Sequence, residues 1–342
     1  MSVTFITKIS GYTSSNKYTV TKDHYPFAYS YNLHEIGKVL VLEPLIDKVS
    51  ITVPVLDPKI RAKVHGNLNK AEKWRFGKDF KKAFGPRIRS RYRFAINVKL
   101  LGGEKLLVQG VPWSKGAGHL LRLEFNPAKL TQGDLSVVKE RFREVTSELL
   151  QWDHVVEFGR ATRVDVAVDL VNARMTDLLV VSNVHGKNHF YVGEGGDLET
   201  AYVGIPTQKK PAEQLVYDKL KQSVDKGQKP GYSGIYHSRV EIISKSKNLK
   251  LANIAKIKNP LTRVTIVHPG SPPPGVDPVI WGLFLETCRY RGVTGALKLV
   301  PDDVAEACKT ALDEAAGESW RPDKIWKHWP KVVKNSGLLD PA

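Results

Sequence analysis

The stretch Arg163-Val164-Asp165-Val166-Ala167-Val168-Asp169-Leu170 constrains this chain more than any other, because strict alternation over eight residues fits a strand of period two and no helix. On that strand Val164, Val166 and Val168 face one way, and Asp165, Ala167 and Asp169 face the other. Acidic residues are disfavoured inside strands, and two on one side repel unless a cation, an arginine or water lies between them. Two solutions stand open. A divalent metal with oxygen ligands would use both carboxylates; otherwise one aspartate pairs with an arginine such as Arg163 or Arg239 and the other caps a turn.

Alternation also predicts strands over 46–55, 92–100 and 119–125, with further strands near 188–192, 214–217 and 235–243. Between them the period changes: Asp134 is placed as an N-cap, and Leu135, Val138, Phe142, Val145 and Leu149 make one apolar helical face. Phe80 and Phe84, four apart, have the spacing of a helix's inner stripe. The order of elements suits an α+β domain, a mostly antiparallel sheet with helices on one face. The segment 268–278, HPGSPPPGVDP, reads as a linker. Beyond it, 279–290, 302–315 and 323–333 have helical spacing. The expected division is an N-terminal extension over 1–44, the α+β domain over 45–267, the linker, and a small helical region over 279–342.

Fifty-two Lys and Arg against 35 Asp and Glu leave a formal charge of +17, which repels itself unless a polyanion is the working partner. Nucleic acid is the leading candidate; a solvated basic surface or an anionic lipid is the alternative. The charge is concentrated at Lys70, Lys73, Arg75, Lys78, Lys81, Lys82, Arg87, Arg89, Arg91, Arg93 and Lys99, interleaved with Trp74, Phe76, Phe80, Phe84, Tyr92 and Phe94. Phosphate neutralisation and base stacking call for that mixture. The two cysteines, Cys288 and Cys308, suit a reducing compartment, and neither a signal peptide nor a membrane-length apolar run is visible, so the expected location is the cytoplasm of a bacterial host. There is no phosphate-cradling Gly-x-x-x-x-Gly-Lys loop, which argues against an ATP-driven helicase.

Three further residues carry possible chemistry. Glu124, in Leu121-Arg122-Leu123-Glu124-Phe125, offers another strand carboxylate, and Arg239-Val240-Glu241 repeats its pattern. Tyr217 ends an apolar run with Lys219 two residues on, and on a strand the two would share a face. A phenol titrates near ~10, so as a nucleophile Tyr217 would need a neighbouring ammonium and a polarised phosphate. A core tyrosine beside a surface lysine is the commoner fate of such a pair. His185 and His189 match no zinc spacing and read as turn or surface residues.

Taken as an ordered set, Ile46-Asp47-Lys48-Val49, Leu123-Glu124-Phe125-Asn126-Pro127-Ala128-Lys129, Thr162 to Asp169, Leu215-Val216-Tyr217-Asp218-Lys219 and Ser238-Arg239-Val240-Glu241 resemble rolling-circle replication initiators of filamentous phages (gene II proteins) and small plasmids (Rep_trans type). The resemblance covers roughly residues 45 to 265 and extends more faintly to Gly295-Ala296-Leu297-Lys298-Leu299-Val300-Pro301. It implies a nicking-domain fold and cleavage of one origin strand with Mg2+ or Mn2+. The protein then stays attached through a 5′-phosphotyrosine until it rejoins the strand. It makes Tyr217 the nucleophile with Tyr202 as second choice, Lys219 its helper, and Glu124, Asp165 and Asp169 the metal ligands. Origin DNA, a host helicase and polymerase, and a second copy of the chain are the implied partners. The His-hydrophobic-His pair of better-known nicking enzymes is missing, and acidic residues take that role in this family. The rivals are a metal-dependent nuclease with water as nucleophile and a non-catalytic basic nucleic-acid-binding protein.

Overall fold

In the computed structural model, described over residues 27–33, 37–73, 80–83, 92–100, 104–112, 120–130, 134–182, 188–203, 214–227, 236–246 and 249–340, the alternating stretch lies inside a longer strand, Arg160–Val171. In chain order the first elements are β1 (Phe27–Leu33), β2 (Gly37–Leu42), β3 (Leu45–Pro54), α1 (Pro58–Glu72), β4 (Phe80–Lys82), β5 (Tyr92–Lys99), β6 (Lys105–Pro112) and β7 (Leu120–Phe125). Then come α2 (Asp134–Val145), α3 (Trp152–Phe158), β8 (Arg160–Val171), β9 (Leu179–Ser182), β10 (Asn188–Val192), β11 (Leu198–Val203), β12 (Gln214–Asp218), α4 (Lys219–Asp225) and β13 (His237–Lys245). The chain closes with β14 (Val264–Val267), α5 (Pro278–Leu297), α6 (Asp302–Ser319), α7 (Pro322–Trp326) and α8 (Trp329–Asn335). The fold is mixed α+β with antiparallel sheets, as the periodicity predicts.

The chain divides into two compact units, and β8 and β13 contribute to both. One unit holds Leu45–Val166, Ile243–Lys258 and the residues from Trp329 on. Its strand order is β8-β3-β7-β6-β5-β4. Val49, Ile51, Val53, Leu121, Leu123 and Phe125 are buried on one face, while Ser50, Arg122 and Glu124 alternate onto the other. Helix α1 lies against β4, β5 and β6. Gly110 permits that approach, since a Cβ there would stand 2.4 Å from Leu68 Cδ1. Asp57 starts α1 by accepting from the Lys59 amide (2.7 Å) and the Ile60 amide (3.1 Å), with Pro58 at the first helical position. Val138, Phe142 and Val145 of α2 are buried as expected, but the helix stops before Leu149, which is exposed. Ser147 and Glu148 adopt positive φ (56° and 61°), turning the chain out of the helix. The helical spacing read at Phe80 and Phe84 is not realised: Phe80 is in β4, and Phe84 lies outside the described residues.

The other unit gathers the described residues up to Pro44 with Ala167–Ile242 and Asn259–His328. Its main sheet runs β10-β11-β12-β13-β8, and β2 pairs with β8 through Leu40↔Val171 and Val41↔Leu170. A two-stranded sheet, β14-β9, packs with α5 and α6. The shared core is Leu179, Val267, Trp281, Phe284, Cys288, Cys308 and Leu312. Burial pushes the Cys288 thiol up to about 12, so at neutral pH it stays protonated and acts as a small core hydrophobe. The C-terminal helices α5 and α6 are therefore built into the unit that holds β9 through β12, and do not stand apart beyond residue 278. The segment 268–278 is tied down as well. The His268 amide donates to Ser319 Oγ (3.1 Å) and the Trp281 indole to the Gly270 carbonyl (3.3 Å). Among the described residues no helix is long and apolar enough to cross a membrane.

Candidate functional site

Strand β12 organises the site. Leu215 pairs with Tyr202 on β11 and Glu241 on β13; Tyr217 pairs with Thr200 and Arg239. One strand further out, His189 pairs with Tyr202 and Tyr191 with Thr200. Directly paired residues project to the same side, and alternate residues of each strand do likewise. One face therefore carries His189, Tyr191, Thr200, Tyr202, Leu215, Tyr217, Arg239 and Glu241. The opposite face is made by Ala201, Val216, Val240 and Ile242, all fully buried. The sequence rule that apolar residues alternate into the core thus leaves a polar, aromatic face with three tyrosines on adjacent strands.

Tyr217 is 6% exposed, and its hydroxyl donates to Glu241 Oε2 at 3.5 Å. Lys219 does not continue the strand, contrary to the expectation from spacing. Asp218 caps α4 by accepting from the Lys221 amide (2.8 Å), so Lys219 is the first helical residue. From there Lys219 Nζ lies 5.8 Å from the Tyr217 ring centroid and donates to Gln222 Oε1 (2.9 Å). A phenol with a carboxylate at its proton and an ammonium beside its ring can lose that proton and hold the resulting anion. Tyr202 is partly exposed, and its phenol is raised by burial, by Tyr191 and by Glu241.

The three carboxylates expected to hold a metal are each engaged by a guanidinium. Asp165 accepts from Arg163 Nε (2.7 Å) and Nη2 (2.5 Å). Asp169 accepts from Arg239 Nε (2.6 Å) and Nη2 (2.9 Å), with His237 Nε2 3.1 Å away. Glu124 accepts from Arg122 and from Ser50 Oγ (2.5 Å), and Arg122 also binds Gln109. Both aspartates thus take the arginine solution, and neither caps a turn. Four residues along a strand also put Asp165 and Asp169 about 13 Å apart, too far to share one ion. Glu124 and Asp165 belong to one unit and Asp169 to the other. Among the described residues no group of three or more His, Cys, Asp or Glu is gathered as a metal site. Each aspartate is held by an arginine fork and the two stand too far apart to share one ion, so these three residues do not gather around a single Mg2+ or Mn2+ as arranged.

Titration follows the same partners. Burial raises Asp169, but Arg239 and His237 outweigh it and hold the carboxyl well below the usual carboxylate range. Burial also raises Glu124, and Arg122, Ser50, Lys48 and Arg163 bring it below its ordinary value. Asp165 ends above its ordinary value, because burial exceeds what Arg163 and Lys48 return and Asp47 adds to the rise.

Of the basic segment, Lys73 is exposed at the end of α1, and Arg93 is exposed on β5 with its guanidinium 5.6 Å from the Phe94 ring centroid. Lys81 and Lys82 are in β4. Arg75, Lys78, Arg87, Arg89 and Arg91 lie outside the described residues. Sequence reasoning missed Glu241 as a partner of Tyr217, His237 as a second partner of Asp169, and the row His189, Tyr191 and Tyr202. Alternation in each strand was the available signal; register, which brings the strands together, was not. The chain matches no family model and no curated protein.

Proposed function

We propose that this chain cleaves and rejoins one DNA strand through Tyr217, as a replication initiator does. The observation that carries the reading is the Tyr217 hydroxyl, bonded to Glu241 and flanked by Lys219 on a polar sheet face. Tyr217 gives its proton to Glu241 and attacks a phosphodiester. The Tyr217 O–P bond forms as the P–O3′ bond breaks, and the proton passes to the leaving 3′ oxygen. Lys219 stabilises the phenolate and then the phosphate charge. The reverse reaction rejoins the strand with no ATP, since one phosphoester replaces another. The formal charge of +17 and the exposed Lys73 and Arg93 supply the attraction for DNA. Carboxylate and ammonium of this chain do the proton and charge work, and the guanidinium-paired Glu124, Asp165 and Asp169 keep a supporting role.

The test is a labelled single strand from the chain's own replicon, incubated with and without Mg2+ or Mn2+ and scored for a denaturation-resistant protein–DNA adduct. The wild type is expected to form it, Tyr217→Phe to lose it to background while binding the strand with unchanged affinity, and Tyr202→Phe to keep it. An adduct retained by Tyr217→Phe sinks the assignment. A second reading, a non-catalytic basic DNA-binding protein, is favoured by the arginine-paired carboxylates. It predicts no adduct on any strand and an affinity that falls linearly in log–log plots against salt.

A further inference from the structure

We propose that His189, Tyr191 and Tyr202 form a stacking platform for the unpaired bases of single-stranded DNA beside Tyr217. The inference rests on the strand-cleavage reading for the identity of the nucleic acid and on the ring geometry for the site itself. The ring centroids of His189 and Tyr191 lie 4.8 Å apart with planes at 55°, and those of Tyr191 and Tyr202 lie 5.5 Å apart at 69°. The rings therefore brace one another in tilted and edge-on contact. Tyr191 is nevertheless 52% exposed and His189 is exposed too, so water covers ring surface that a base could cover instead. The neighbour on the opposite face, Phe190, is packed against Tyr290 with centroids 6.4 Å apart, so β10 has a ring contact on its other side as well.

Position favours a strand of nucleic acid. β10 ends the strand order, so among the described residues no further strand lies beyond the platform. Tyr191, Thr200 and Tyr217 form one cross-strand row, and two strand spacings put Tyr191 about 10 Å from Tyr217, within reach of nucleotides next to the one being cut. Charge selects what part of the nucleic acid sits there. Glu241 shares this face, and a neutral base meets no repulsion from it. Tyr202 stays protonated, as burial, Tyr191 and Glu241 all raise its phenol. Phosphates would be taken by the exposed Lys226 at the C-terminal end of α4. A duplex keeps its bases stacked on each other and offers none, so only unpaired DNA fits.

The experiment is equilibrium binding of the full-length protein, by fluorescence anisotropy at one salt concentration, to three probes of equal length: a labelled oligothymidylate, a strand of abasic spacers and a duplex. The abasic strand has the same charge but no bases, and it is expected to bind about tenfold more weakly than oligothymidylate. Tyr191→Ala and His189→Ala should shrink that preference, and Tyr191→Phe should keep it. The exposure of Tyr191 leaves the fold of these variants intact, which circular dichroism checks. Equal binding of the abasic strand, or a preference untouched by Tyr191→Ala, overturns the platform. An adduct without base preference removes this inference alone; base preference without an adduct supports it and removes the strand-cleavage reading alone.

Discussion

Asp165 and Asp169 are on one strand, on one side of it, and both are buried, yet their titration moves in opposite directions. The difference lies in the arginine each one meets. Arg239 comes from β13 and its side chain is itself only 10% exposed, so the pair is excluded from water and His237 adds a third contact. Arg163 belongs to the same strand as Asp165 and is 25% exposed, so solvent screens its charge, and with Lys48 it returns less than burial costs Asp165, which is 0% exposed and has Asp47 nearby. A buried carboxylate stays ionised easily only when its cation is buried with it. Two residues that read identically in the sequence thus become different physical objects.

The sharpest way to break this comparison is to remove the cation. Arg239→Met leaves Asp169 ionised without its fork, and it is expected to lower unfolding free energy by about 3–5 kcal/mol, measured by urea denaturation at neutral pH. A loss under about 1 kcal/mol, the value of an exposed pair, would show that Asp169 is not the better-paired carboxylate.

Next in size is Asp169→Asn, expected to cost about 2–3 kcal/mol at neutral pH because Arg239 and His237 lose their acceptor. Its pH dependence carries the sign. The folded value of Asp169 lies below the unfolded value of about 3.9, so its contribution is fully present above that pH and is lost as pH falls through the folded value. The gap between wild type and Asp169→Asn should therefore be widest at neutral pH and close under acid, read from denaturation midpoints. A gap that stays constant down to the acid limb would remove the linkage argument.

How much of this the sequence revealed depends on whether the deciding contact was local. The strand at 163–170, the helix beginning at Asp134 and the helices past 278 were legible, because period two and period 3.6 are written in neighbouring residues. Helix α1 was not read: its cap, Asp57-Pro58, is a local signal, but Lys59, Arg61, Lys63 and Lys70 mask the apolar spacing of Val64, Leu68 and Ala71. At the site, Tyr217 and Lys219 were singled out from their own segment. Glu241, 24 residues on, and Tyr191, 26 residues before, reach Tyr217's sheet face only through strand register, which one sequence leaves open. Arg239 was named beforehand as a partner for either aspartate, and register gave it to Asp169.

The smallest expected effect is also the most discriminating, because its direction is opposite. The folded value of Asp165 is raised, so the stability it contributes is fully present below the unfolded value of about 3.9 and is lost as pH rises through the folded value. At neutral pH the ionised Asp165 is then a net cost, and a neutral residue of the same shape removes it. Asn keeps an acceptor oxygen for Arg163, and Arg163 is exposed enough for water to cover its remaining donors. Asp165→Asn is therefore expected to stabilise the fold at neutral pH by less than about 1 kcal/mol, with the gain vanishing under acid as the wild-type carboxyl takes up its proton. Denaturation curves of both asparagine variants across pH decide the matter: slopes of opposite sign support a division by burial of the cation. If Asp165→Asn destabilises as much as Asp169→Asn, with the same slope, then Arg163 holds its aspartate as firmly as Arg239 does, and solvent exposure of the guanidinium is not what separates them.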